Sequence, residues 1–349
     1  MRRILLAAVA LAAGCSDALE QASSAGQVIA VVNSDHTVSF IAATDLSVRT
    51  VGLETGGSGT TAAGRGSTVV VPLGSVDSLA VIRNAGLCTG LCPLPVVVFP
   101  LSPGSDATGV AIQDDSIAWV ANPKLNTVTR VNYVTGDTTS SPVGVYPQAV
   151  AIVAGRVFVG NGNLVGSASA GPSWLSSFPC CGVVSPIDSV PLTGADARVL
   201  VVGDDSLLYV VEAGHPGQRD GKLSVVDPVA RIELAVINGL GESPRAAAFH
   251  RSGRILVAAG SEILEVNTLT RSVTLGPGHG VNPGTGPVPS LAVDLRGRVY
   301  APSSCTEFTA VSLGVVTVLS PPPDYRVIRK ITVSGPGACP LTTALAVVP

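Results

Sequence analysis

One apolar hexapeptide pattern recurs seven times in this 349-residue chain: VIAVVN from Val28, STVVVP from Ser67, IAWVAN from Ile117, RVFVGN from Arg156, LLYVVE from Leu207, RILVAA from Arg254 and RVYAPS from Arg298. With Val31, Val70, Trp119, Phe158, Tyr209, Leu256 and Tyr300 taken as matching positions, the intervals are 39, 49, 39, 51, 47 and 44 residues. A period of that size holds four short strands and their turns. Self-similarity at such a period is the signature of a fold built by stacking one supersecondary unit.

The rest of each unit can be placed around this second strand. Third strands follow as HTVSFIAAT, DSLAVIRN, NTVTRVNYVTG, GVVSPIDSV, GKLSVVDPVA, SEILEVNTLT and GVVTVLSPP, and fourth strands include LSVRTVGL, LPVVVFPL, IELAVINGL and RVIRKITV. First strands read ATGVAIQD, PQAVAIVA, DARVLVVG, PRAAAFHR and PSLAVDLR, with a weaker one near Thr60 to Ala63. Composition agrees, since 39 Gly, 26 Pro and only 13% charged residues do not suit long helices. The first repeat lacks a first strand of its own, while TTALAVVP, from Thr342 to Pro349, has the form of a first strand with nothing after it. An all-β, seven-bladed β-propeller of four-stranded blades, its ring closed by the C-terminal strand over residues 27–349, accounts for both.

The third unit is the most specific. IAWVANPKLNTVTRVNYVTG, from Ile117 to Gly136, followed by VGVYPQAVAI, resembles the YVTN family of β-propeller repeats. The resemblance implies a seven-bladed propeller in the bacterial periplasm or on the cell surface. Its motif is structural and assigns no catalytic residue.

Upstream of the repeats lies an address. Arg2 and Arg3 precede an apolar run from Ile4 to Ala13, and LAAGC ends it at Cys15. That run is too short for a membrane span of about 20 residues and has the order of a secretory signal. It resembles a bacterial lipobox, which implies a lipoprotein signal peptide over residues 1–14, acylation of Cys15 and a flexible tether over 15–26. Ser16 after the cysteine implies sorting to the outer membrane, with lipid as the sole membrane contact. Without Arg2 and Arg3 the chain carries 19 basic and 24 acidic residues, and no basic stripe suits a nucleic acid.

Six cysteines remain, an even number for an oxidising compartment. Cys305 and Cys339 fall in loops of one rim and suit a bridge that locks the closing strand, Cys88 and Cys92 suit a local bridge, and Cys180 with Cys181 suits either a vicinal bridge or separate fates. The longest insertion, placed from Asn161 to Gly182 between second and third strands of blade four, holds Trp174 and Phe178. Two readings stand for these aromatics: an anchor for a partner, or a lid packed on the blade. Matching starts of first strands set Thr108, Gln148, Arg198, Arg245 and Ser290 around one mouth of the central channel. Two arginines in a polar ring suit a small anion or an acidic side chain, and equally a solvated channel.

His36, His215, His250 and His279 sit in turns and loops without metal-ligand spacing, so no metal site is expected. No cofactor motif is present either, and Asp114-Asp115 and Asp204-Asp205 read as turn residues. The leading reading is a membrane-tethered binding module for an envelope protein or small ligand, with no identifiable catalytic site. Its rival is a lactonase- or lyase-like hydrolase with its site at the channel mouth.

Overall fold

Seven antiparallel four-stranded sheets make up the protein, seen in a computed structural model that describes residues 26–53, 56–85, 94–181, 187–284, 286–303, 314–334 and 345–348. Blade three has the regular form: Val110–Ile112, Ile117–Asn122, Thr127–Asn132 and Thr138–Pro142, counted from the innermost strand outward. Innermost strands touch one another in sequence around the whole ring. Blade one takes its innermost strand from the far end of the chain, where Leu345–Val348 pairs with Val28–Val32 in the register Val28↔Val348 to Val31↔Leu345. Ring closure is therefore made by main-chain hydrogen bonds, and the chain is a seven-bladed propeller.

Continuous apolar runs in the second strands follow from this stacking. A blade is covered on both faces, so successive side chains on opposite sides are both buried. In blade three Ile117, Trp119 and Ala121 pack toward blade four, while Ala118 and Val120 pack toward blade two. Seven hydrophobic clusters result, one at each blade interface.

Two expectations are corrected. In blade one the residue equivalent to Trp119 is Ala30 rather than Val31, since Ala30 packs toward blade two and Val31 toward blade seven. A one-residue slip exchanges the two faces. In blade four the third strand is Trp174–Pro179, and the fourth is Asp188–Pro191, so Trp174 and Phe178 belong to the sheet rather than to an insertion. The loop before it is shorter and carries a small hairpin of Leu164–Val165 and Ala168–Ser169. Ser176 and Ser177 disguise that strand as a loop, because they are polar yet buried. Their hydroxyls are satisfied by Asn161 Nδ2 at 3.0 Å and Arg156 Nε at 2.9 Å.

No helix among the described residues is long and apolar enough to cross a membrane. The signal segment, Cys15 and the tether up to residue 25 lie outside the described residues, as do Cys88, Cys92, Cys305 and Cys339.

Candidate functional site

Links between blades deliver the chain to one rim, and each innermost strand starts there. Thr60 Oγ1 donates to Ala107 O at 2.9 Å, and Thr108 Oγ1 donates to Gln148 O at 3.3 Å. Gln148 Nε2 in turn donates to Asp196 Oδ1 at 2.6 Å. The strand starts of successive blades are thus tied side by side around a cavity of about 600 Å³. Thr108, Gln148, Arg198, Arg245 and Ser290 all line it, with Thr60. The five residues that repeat position alone assigned to one mouth are brought together.

Their chemistry is uneven. Arg198 is bound through one terminal nitrogen to Asp196, which is buried beneath the ring and also holds Gln148. Its Nε–H is buried and has no hydrogen-bond partner. Ser290 is buried too, and its hydroxyl is likewise unpartnered. Arg245 is exposed and makes no ion pair with any described carboxylate. Of the lining residues, Arg198 and Ser290 therefore each hold a buried donor without an acceptor, and Arg245 holds a positive charge without a described ion-pair partner. A desolvated donor without an acceptor is costly, so an anion with two or more oxygens fits such a set.

Beside the cavity, the loop between second and third strands of blade five is zipped to the same strand start. Ala213 N–H donates to Asp196 O and Gly214 N–H to Ala195 O, each at 3.0 Å. In this loop His215 Nδ1 lies 2.7 Å from Asp220 Oδ2, and the His215 N–H donates to Asp220 Oδ1 at 2.9 Å. Burial works against the Asp220 charge, but these bonds hold its carboxyl below the usual carboxylate range. Neither Asp196 nor this His–Asp pair was marked by spacing. The available signal was position alone, since Asp196 ends the blade-four link two residues before Arg198.

The aromatic candidates lie elsewhere. Phe178 is fully buried and packs on Trp119 of blade three, with ring centroids 5.1 Å apart, so it is a core residue and offers no contact to a partner. Trp174 is half-buried at the start of its strand. The Cys180 and Cys181 sulfurs stand 3.4 Å apart, beyond the about 2.05 Å of a bond, so the vicinal bridge is not formed. Cys180 is nonetheless disulfide-bonded. Asp114 and Asp205 are turn residues whose carboxylates accept N–H groups of the same turn. His250 differs from expectation, for it ends an innermost strand, is buried, and contacts Ser252 Oγ and Gly297 O. Among the described residues no group of three or more His, Cys, Asp or Glu is arranged to hold a metal ion.

Comparison with known proteins adds the fold. No family model matches the chain, and no curated protein matches it. Solved structures do. A protein of unknown function from Desulfotomaculum acetoxidans is 15% identical, with 93% of this chain and 99% of that one covered and a TM-score of 0.63. AztD from Citrobacter koseri is 13% identical over 92% of this chain and 98% of its own, with a TM-score of 0.59. Virginiamycin B lyase from Staphylococcus aureus is 11% identical over 80% and 85%, with a TM-score of 0.56. At such identities the likeness establishes the β-propeller and nothing about chemistry.

Proposed function

We propose that this chain is a YVTN-type envelope lipoprotein, acylated at Cys15 and sorted to the outer membrane, whose propeller is a binding module. Its cavity takes a small carboxylate-bearing ligand, or an acidic side chain of a partner envelope protein, between Arg198 and Arg245. One observation carries the reading: the buried Arg198 Nε–H and Ser290 hydroxyl have no acceptor within the protein, although both residues line the cavity. An oxygen-rich anion supplies the missing acceptors.

Thermal melting in sodium acetate, succinate or citrate against sodium chloride of equal ionic strength tests it. Binding to the folded state alone stabilises by about 2.7 kcal/mol at a hundredfold excess over Kd, so the midpoint rises with carboxylate concentration. In Arg198→Gln/Arg245→Gln that rise is absent. An equal rise in the double variant, or none in the wild type, refutes the site. Intact mass of the chain purified from envelopes reads acylation separately.

A second reading rests on the His215–Asp220 pair beside the cavity. A histidine oriented by a carboxylate is the base of many hydrolytic sites, and a lactonase- or lyase-like enzyme would use it at the channel mouth. Turnover of a lactone that is abolished by His215→Ala supports that reading, and absence of turnover across a lactone panel removes it.

A further inference from the structure

Among the described residues, the rim opposite the cavity carries an apolar and cationic surface in the sector of blades five to seven. It is built from the turns between third and fourth strands and those between first and second strands. In blades three, five and six the former turn has the same construction: an Asn or Asp side chain accepts N–H groups of the turn, and an apolar residue stands at the tip. Asn132, Asp227 and Asn267 are the acceptors. The tips Val134, Val229 and Leu269 are 59%, 73% and 90% exposed. Two residues after the tip, blade three has Gly136 at φ 87°, whereas blades five and six place Arg231 and Arg271 in the same left-handed region, at φ 58° and 51°. An L side chain is disfavoured there, yet both positions hold an exposed arginine.

Blades five to seven extend the pattern. Arg251 and Arg296 are exposed in turns between first and second strands, and Arg326 precedes the exposed Val327 and Ile328. Asp204, Asp205 and Asp324 are the exposed acids of that sector. Arg231 reaches Asp188 at 3.5 Å and Arg326 reaches Asp324 at 3.9 Å, while no ion pair links Arg251, Arg271 or Arg296 to a described carboxylate.

The chain enters the propeller on this same rim. Gln27 O accepts the Ala43 N–H at 2.9 Å, and Gln27 Oε1 accepts the Leu295 N–H at 2.8 Å. Arg296 is the next residue. Only 11 residues, 16–26, separate Cys15 from Gln27, so an acylated Cys15 would tether the chain to the bilayer from this rim. We propose that the sector formed by Val229, Arg231, Leu269, Arg271, Arg296 and Arg326 lies on an anionic lipid surface and turns the cavity away from it. Apolar tips flanked by arginines match the boundary between acyl chains and anionic headgroups. The inference rests on the lipoprotein reading for its geometry, and it can fail separately.

Hydrogen exchange of the full chain, on vesicles of phosphatidylcholine alone and on equimolar phosphatidylcholine and phosphatidylglycerol, is the test. The expected result is slower exchange around residues 227–232, 267–272, 294–298 and 325–328 on the anionic vesicles alone, with residues around Thr108 and Arg245 unchanged. Arg231→Gln/Arg271→Gln weakens adsorption on the order of 30-fold, from a roughly fivefold contribution per arginine, and so abolishes the slowing. The double variant keeps its turns, because Gln replaces exposed side chains only. Equal exchange on both vesicles, or slowing at the cavity rim, overturns the proposal. So does slowing of these turns by an envelope protein extract but not by vesicles, which assigns the surface to a protein. An intact mass without acyl chain, together with slowing on anionic vesicles, removes the lipoprotein reading and leaves the surface standing.

Discussion

Glu212→Gln should remove a large part of the pH dependence of folding. Glu212 ends the second strand of blade five, at the position held by Asn33, Asn122 and Asn161 in blades one, three and four. Each of those asparagines donates through Nδ2 to a hydroxyl of the third strand: Ser39 at 2.9 Å, Thr129 at 2.8 Å and Ser176 at 3.0 Å. In blade five the hydroxyl is that of Ser224, whose Oγ lies 2.7 Å from Glu212 Oε2 and 2.6 Å from Glu233 Oε1. A serine has one proton to donate, so both contacts are hydrogen bonds only if a carboxyl brings another. Burial of the fully enclosed Glu212, aided by the like charge of Glu233, raises its pKa from 4.5 to about 7. Because the folded-state value lies above the unfolded one, the contribution is fully present below about pH 4.5 and is lost as pH rises through about 7. At about 1.4 kcal/mol per pH unit the loss is about 3 kcal/mol. Glutamine supplies the donor without titrating and restores the asparagine pattern. Chemical denaturation at pH 5 and pH 8 should therefore show about 3 kcal/mol less pH dependence in the variant than in the wild type. Carboxylates other than the neighbouring Glu233 titrate alike in both proteins and cancel. Parallel curves for the two proteins would refute the protonated Glu212.

Two further outcomes follow from the packing. Phe178→Ala empties a fully buried site against Trp119 at the interface of blades three and four, and should cost about 3–5 kcal/mol in urea denaturation; a loss below about 1 kcal/mol would return Phe178 to the surface. Deleting residues 345–349 leaves the Val28–Val32 strand without its inner partner, so the melting midpoint should fall and light scattering should show aggregation through the open edge. An unchanged melting profile would mean that the strand does not close the ring.

Most of the fold could be read because a blade buries both faces of its middle strands, which leaves an unmistakable apolar run at each repeat. Closure was legible by subtraction, as one repeat lacked a first strand and one strand lacked a repeat. Blade four failed for a physical reason. Ser176 and Ser177 place two hydroxyls in a buried strand, and only Asn161 and Arg156 on the neighbouring strand make that tolerable; a partner across a sheet is invisible in a local window. The slip in blade one arose because VIAVV is apolar at every position, so nothing in it distinguishes the two faces.

For the site, the repeat shows which residues share a rim, since equivalent positions in equivalent blades point to the same place. It does not show how their charges are balanced. Arg198 and Arg245 look alike in sequence, yet Asp196 answers Arg198 while no described carboxylate answers Arg245. Arg198 is therefore fixed by its partner and offers direction through one free N–H, whereas Arg245 offers net charge. If an anion enters the cavity, Arg245→Gln should weaken it most at low salt, because an exposed charge is screened. Arg198→Gln should weaken it at all salt concentrations, because a buried donor is not.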